Sequence, residues 1–392
     1  MSSDQHMKPG PAVEPNPQSA IRNPQLSDLG VYFLAQGEQA GQDVAARFAA
    51  FIGGARRSLD LAVYDMRLSE PLKAVVAGAL AERAAAGVAI RIAYDADKPE
   101  QPVLAPGQDP APPGTGHFVQ SLGYPWRRIG GPKLMHHKYI VRDGATPDAR
   151  VWTGSTNLTD DSWTLQENNV VELASPDVAG YYARDFEDLW ATGQIGDSGS
   201  FDTRSVDLTY GGEPARVRLL FSPGRGPAID YEVAHRVASA RRRVRICSML
   251  LNSSALVVAL LDLLAEGRVA VDGLYDKTQM DGVLLQWQDV PHNHWKIPAV
   301  QEIVASARLA GKLSTPYSPT TPHDFMHNKV LLVDDTIITG SYNFSRSAEL
   351  NAENIVMIDS PALAEQYSGY IDHLLSKFGG TAGAGAGREA GG

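Results

Sequence analysis

Short apolar runs bounded by turn residues alternate with longer Ala- and Leu-rich stretches, and this order occurs twice along the chain. VYFLAQG from Val31 has a counterpart in VRLLFSPG from Val217, and ARRSLDLAVYDM from Ala55 has one in ARRRVRICSMLL from Ala240. A helical stretch follows in each half, LKAVVAGALAERAAAG or ALVVALLDLLAEG, and then a short run with a shared ending, AIRIAYD from Ala89 or AVDGLYD from Ala270. Strands that alternate with helices need crossover connections, which place a buried sheet between covering helices. The pattern predicts an α/β protein of two lobes with like topology, at 28–195 and 213–378, joined by a Gly/Ser/Asp-rich linker at 196–212. The polar, Pro-rich segment 1–27 and the Gly/Ala-rich tail 379–392 lack the apolar content that offsets ordering entropy, so both are expected to be disordered.

In each lobe one connection is long, from Asp95 towards His136 and from Asp276 towards His327. The first is Pro-rich; the second carries Trp287, His292, His294 and Trp295. Such segments either rim a cleft or pack on the surface around their own tryptophans.

The repeat also carries chemistry. MHHKYIVRD around His136 and MHNKVLLVD around His327 both read His, any residue, Lys, four residues, Asp. Each is followed by Thr-Gly-Ser, in TGSTN (Thr153 to Asn157) and TGSYN (Thr339 to Asn343), and then by QENN or NAEN. A lone histidine on a strand is usually structural, but the same residues in the same order twice point to one composite site built from both halves. On a strand His136 and Lys138 share a face, as do His327 and Lys329. An imidazole beside a fixed cation suits a phosphodiester: one attacks or protonates, the other balances charge on the non-bridging oxygens.

The candidate catalytic set is therefore His136, Lys138, Asp143, His327, Lys329 and Asp334. The two aspartates have the opposite parity, which fits support of the strand ends better than contact with phosphate. The Thr-Gly-Ser glycine allows close backbone approach, and Ser155, Asn157, Ser341 and Asn343 are expected to donate to phosphate oxygens. Glu167 and Glu353 each stand twelve residues after their serine. That matched offset casts both as carboxylates that accept from an imidazole Nδ1–H and orient the histidines.

Composition narrows the partners. The 392 residues are 43% hydrophobic and 20% charged, as in a globular protein, with a net charge of −10 that weighs against non-specific grip on a polyphosphate backbone. Arg241, Arg242 and Arg243 form the one basic run singled out, read as a solvated helix end. The single cysteine, Cys247, lies in an apolar run, so it is expected to be a buried thiol. No signal-peptide pattern and no apolar stretch long enough to cross a bilayer is found, which gives a cytoplasmic expectation.

The paired motif resembles the phospholipase D superfamily, and the resemblance runs over nearly all of residues 28–378 with both motifs intact. It implies two phospholipase D-like lobes, each a mixed sheet flanked by helices, that meet about a pseudo-two-fold axis in one chain, so a monomer suffices. It also implies metal- and cofactor-free catalysis, in which one histidine attacks phosphorus to form a phosphohistidine and the other protonates the leaving oxygen. By the usage of two-motif members, His136 is the nucleophile and His327 the acid. On this reading one imidazole starts neutral and the other cationic, and the pair titrates as a unit.

Detail within the blocks, GSTNLT, GSYNFS, ENN and AEN, looks most like the small bacterial endonuclease branch, which favours nucleic acid as the phosphodiester substrate. The alternative is a phospholipase or phosphatidyl transferase acting on phospholipid headgroups; LLQWQDV around Trp287 is the candidate for peripheral membrane contact. A non-catalytic scaffold would be expected to have lost a motif residue, and none is lost. The HNH letters at His292–His294 lack the context of a metal nuclease.

Overall fold

The computed structural model describes residues 27–95, 114–318 and 321–379. The expectations for most of segment 1–27, for most of the Pro-rich loop and for nearly all of the tail fall outside these residues.

Each half builds a sheet in the same strand order. In the first it runs Leu29–Leu34, Asn168–Ala174, Arg150–Gly154, Lys138–Arg142, Ser58–Val63, Ala89–Asp95, Trp126–Ile129. In the second, after an added edge strand Val206–Tyr210, it runs Glu213–Ser222, Glu353–Asp359, Thr336–Gly340, Lys329–Val333, Arg243–Ser248, Ala270–Asp276, Ala310–Lys312. The helix-crossover strands pair in parallel and the rest antiparallel, so the sheets are mixed, as expected. Val206–Tyr210 pairs with Glu213–Ser222, and Asp28 N donates to the Thr209 carbonyl. The stretch read as linker thus holds an edge strand that ties the halves together.

The motif strands are buried on both sides, which explains their continuous apolar character, IV in the first and VLLV in the second. Two long helices, Pro176–Thr192 and Pro361–Phe378, start alike: Ser175 and Ser360 cap the first turn with their hydroxyls, and proline holds the first helical position. Their tyrosines Tyr182, Tyr367 and Tyr370 are buried in one core cluster that draws on both sheets, so the lobes share an interior. Cys247 is buried there too, 3.4 Å from Met326 Sδ.

The long connection after Asp276 is not a loop. It folds as helices Lys277–Gln288 and Lys296–Ser306 and the strand Ala310–Lys312. Trp287 packs into the core of the second lobe while Trp295 stays 44% exposed. No helix among the described residues is long and apolar enough to cross a membrane.

Candidate active site

The regular strands begin at Lys138 and Lys329, so each motif histidine lies just before its strand, where it is stitched to the opposite half. His136 N donates to the Ala352 carbonyl and Ala352 N to the Leu134 carbonyl, both at 2.8 Å; on the other side Glu167 N donates to the Phe325 carbonyl at 3.3 Å. The side chains cross in the same way. His136 Nδ1 lies 2.8 Å from Glu353 Oε2, and His327 Nδ1 lies 3.0 Å from Asn168 Oδ1. Lys138 Nζ donates to the His136 carbonyl at 2.8 Å and Lys329 Nζ to the His327 carbonyl at 2.6 Å. All four motif side chains are buried.

Electrostatics place these groups in one cluster. Burial, then the Lys138 and Lys329 ammoniums, hold His136 well below the usual imidazole range; burial, then Lys329, Lys138 and His136, do the same to His327. Burial pushes Lys138 down to about 7, and burial and Lys138 hold Lys329 well below the usual lysine range. Burial raises the Glu353 carboxyl to about 7. The expected division into one neutral and one cationic imidazole is thus not built into the free site. Both rings are driven towards neutrality because each is buried beside the same two ammoniums.

The histidines differ instead in what holds Nδ1. Asn168 Nδ2 donates to the Ser162 carbonyl at 3.1 Å, a group that only accepts, so the amide oxygen must face His327. His327 therefore carries its proton on Nδ1 and exposes the Nε2 lone pair. His136 Nδ1 is held in the same way against a carboxylate, and its ring also bonds the Ser341 backbone.

Glu167 departs from its expected role. Its carboxylate accepts from buried Lys312 Nζ at 2.5 Å and from Gln36 N at 3.2 Å, and does not orient a histidine. Sheet register explains this: Ser155 N bonds the Asn169 carbonyl whereas Ser341 N bonds the Asn354 carbonyl, so the first half holds one more residue in between. Counting twelve residues lands on Glu in both halves, but the structural partner of Glu353 is Asn168 and that of Glu167 is Ala352.

The serines are engaged within the protein. Ser155 Oγ donates to Asn168 Oδ1 at 2.7 Å, and the Ser341 hydroxyl bonds the Glu353 carboxyl. Each braces the group that holds a histidine, which corrects their reading as phosphate donors. Among the described residues the buried Oδ1 atoms of Asn157 and Asn343 have no hydrogen-bond partner, and Asn157 lines a crevice with Tyr64, Asp65, Lys138 and Thr156. Gly154 and Gly340, at φ 140° and 136°, leave no room for a side chain: a Cβ would lie 2.2 and 2.3 Å from the carbonyl oxygens of Asn169 and Asn354.

Asp143 and Asp334 sit at the far ends of their strands, which corrects their place in the catalytic set. Asp143 accepts backbone N–H from Arg56, Arg57 and Ser58 at 2.6–3.0 Å; Asp334 does so from Arg241, Arg242 and Arg243 at 2.7–3.2 Å. The arginine run is thus the backbone partner of Asp334, with Arg243 also in an ion pair with Glu365 at 2.6 Å. Asp143→Ala should leave three N–H groups without their acceptor and destabilise the fold by about 2–4 kcal/mol, with turnover per folded molecule unchanged. Urea titration beside an assay normalised to folded protein checks this.

Several site residues escaped the sequence reading. Asp95 Oδ1 accepts Met135 N at 2.7 Å and Asp276 Oδ2 accepts Met326 N at 2.9 Å, each fixing the entry to a motif histidine. The shared YD strand endings were the signal. The Tyr64 ring lies 4.6 Å from that of His136 and 4.9 Å from Lys138 Nζ. Its counterpart in the other half is Met249, so no repeat marked it.

Known proteins share this build. The sequence model of the family described as "Cardiolipin synthase, PLD-like domain" matches residues 48–190 and again 233–375. A phospholipase D of Rickettsia bellii is 26% identical over 155 residues, 39% of this chain and 66% of that protein. A mitochondrial cardiolipin hydrolase of Xenopus laevis is 31% identical over 137 residues, 35% of this chain and 56% of that protein. This chain thus spans less than two thirds of the length of each of those relatives. The crystal structure of a phosphatidylserine synthase from Haemophilus influenzae shares the fold, with a TM-score of 0.58 at 13% identity over 89% of this chain and 88% of that one. With most of its length matched in two repeats, the chain belongs to the phospholipase D-like domain family, whose members act on phosphodiesters.

Proposed function

We propose that this protein hydrolyses phosphodiester bonds through a covalent phosphohistidine on His136, without a metal, and that its substrate is nucleic acid. The observation that carries the reading is the crossed pairing of the two histidines, each held at Nδ1 by the opposite half and each beside both lysines.

On this reading His136 Nε2 attacks phosphorus while the bond to the leaving oxygen breaks, and His327 gives that oxygen its Nε2 proton. His327, now neutral, takes a proton from water; the hydroxide attacks phosphorus, the P–N bond breaks, and both rings return to their starting states. A carboxylate on Nδ1 makes Nε2 a better nucleophile and steadies the charged phosphohistidine, which suits His136 and Glu353. A neutral amide leaves an imidazolium more acidic, which suits His327 and Asn168. Lys138 and Lys329 supply the positive charge that metal ions provide elsewhere. The substrate phosphate brings the negative charge that lets His327 hold its proton. Both motifs lie in one chain, so a monomer has a complete site.

The free enzyme holds the Lys138 ammonium below about pH 7 and loses it above, because burial has lowered its pKa to that value. kcat/KM should therefore fall on both sides of about pH 7, on the basic side as Lys138 loses its proton and on the acidic side as the Glu353 carboxylate gains one. A profile from pH 5 to 9 that stays level to pH 9 would contradict this.

A second reading, action on phospholipid headgroups, is favoured by the names of the relatives and by the family description. In the run expected to touch a membrane Trp287 is buried, while Leu285 is 64% exposed. An assay in chelator against single-stranded DNA, duplex DNA, RNA and phosphatidylcholine vesicles separates the readings. Turnover on a nucleic acid with vesicles untouched is the expected result; turnover on vesicles alone moves the assignment to lipid, and none on any of the four overturns it.

A further inference from the structure

The segment that leads into His327 carries three aromatic rings in a ladder. Tyr317 stacks on His323 at 5.1 Å between centroids and 17° between planes, and His323 on Phe325 at 4.7 Å and 15°. Phe325 is 5% exposed and lies two residues before His327; Tyr317, at the other end, is 65% exposed. Among the described residues Tyr317 stacks on no ring but His323, and most of its surface is exposed.

A single exposed aromatic is ordinary. A clamped stack is not. His323 Nε2–H donates to the Ser318 carbonyl at 2.7 Å, its backbone N to Asp161 Oδ2 at 3.1 Å, and its carbonyl accepts from Gln166 Nε2 at 3.3 Å. Thr315 N donates to Asp324 Oδ1 at 2.7 Å, and the Phe325 carbonyl takes Glu167 N. The segment is thus fastened to the opposite half of the protein, and a ring that docks on it meets a surface already ordered.

The ladder lies near the site. Tyr317 is within electrostatic range of Tyr64, the ring beside His136, and of Arg67, which forks onto Asp65 at 2.7 and 2.8 Å; His323 is within range of His327. Among the described residues the other half has no equivalent. The pseudo-symmetric mate of Phe325 is Leu134, reached by Ala352 N as Phe325 is by Glu167 N, and the chain before it reads Gly130, Gly131, Pro132, Lys133.

We propose that Tyr317, backed by His323 and Phe325, is a stacking platform for one nucleobase of a single-stranded substrate, on the side of the scissile bond that His327 serves. The inference rests on the phosphodiesterase reading and on its nucleic-acid arm. Stacking on an aromatic face suits every base and needs little added positive charge, which fits an acidic protein whose site cations lie at the phosphate.

The test compares kcat/KM on a short single-stranded DNA with one cleavable phosphodiester, and on two forms in which the nucleotide on one side or the other is abasic. Tyr317→Ala should lower kcat/KM on the intact strand by about 5- to 150-fold, the range that corresponds to about 1–3 kcal/mol of stacking. Tyr317→Trp should keep it. In the wild type one abasic position should cost as much as Tyr317→Ala, and the variant should show no further loss there; the other position should matter little.

Equal loss by the alanine variant on intact and abasic strands, or no loss on either, would overturn the platform. Wild-type turnover on phosphatidylcholine vesicles with none on DNA or RNA would overturn it while leaving the phosphodiesterase reading intact. No turnover on any of them would overturn both.

Discussion

His136→Ala and His327→Ala are each expected to lower turnover at least a thousandfold, and the double variant little more, because on the proposed mechanism the two rings act on one phosphorus as a unit. They should differ in the intermediate they accumulate. With a phosphodiester whose leaving group needs no proton, His136 of the His327→Ala variant should still attack phosphorus and expel that group, but the base that activates water is missing. Phosphorylated protein should build up in a burst equal to the enzyme present, visible by mass spectrometry. His136→Ala should show none. A burst in the His136 variant instead would reverse the roles, and near wild-type turnover in either would remove the composite site altogether.

Glu353→Gln is expected to cut kcat by about two to four powers of ten with KM nearly unchanged, a size typical of a carboxylate that orients a catalytic imidazole. A glutamine has one oxygen for three donors: His136 Nδ1–H, the Ser341 hydroxyl and Asn351 Nδ2, which lies 3.0 Å from Oε1. If the amide nitrogen turns to His136, the ring must carry its proton on Nε2, and the attacking lone pair is lost. Folding should not suffer in parallel. The Glu353 pKa is raised from 4.5 to about 7 in the folded protein, so its ionisation costs the native state stability progressively as pH rises from about 4.5 to 7. Glutamine has no such penalty, and the stability difference measured by urea titration at pH 4.5 and 7.5 should move in favour of the variant. A large loss of stability at pH 7.5 with kcat intact per folded molecule would make Glu353 a packing residue.

Much of this architecture was legible because the repeat supplied a second sample of each element. The order of apolar runs gave both sheets, and parity separated Asp143 and Asp334 from the histidine and lysine faces. Counting along the chain failed where the halves differ in length: one extra residue after Ser155 shifted Glu167 out of register, and only the strand pairing reveals Asn168 in its place. Tyr64 and the ring ladder were hidden for the opposite reason. They occur once, and a comparison of halves sees what is shared.

The crossed hold on the histidines has one more consequence. Were the site formed by two copies of a single half, whatever residue steadied one ring would have to steady the other. With both halves in one polypeptide Glu353 and Asn168 can differ, so a symmetric scaffold can assign its twin imidazoles to different trades.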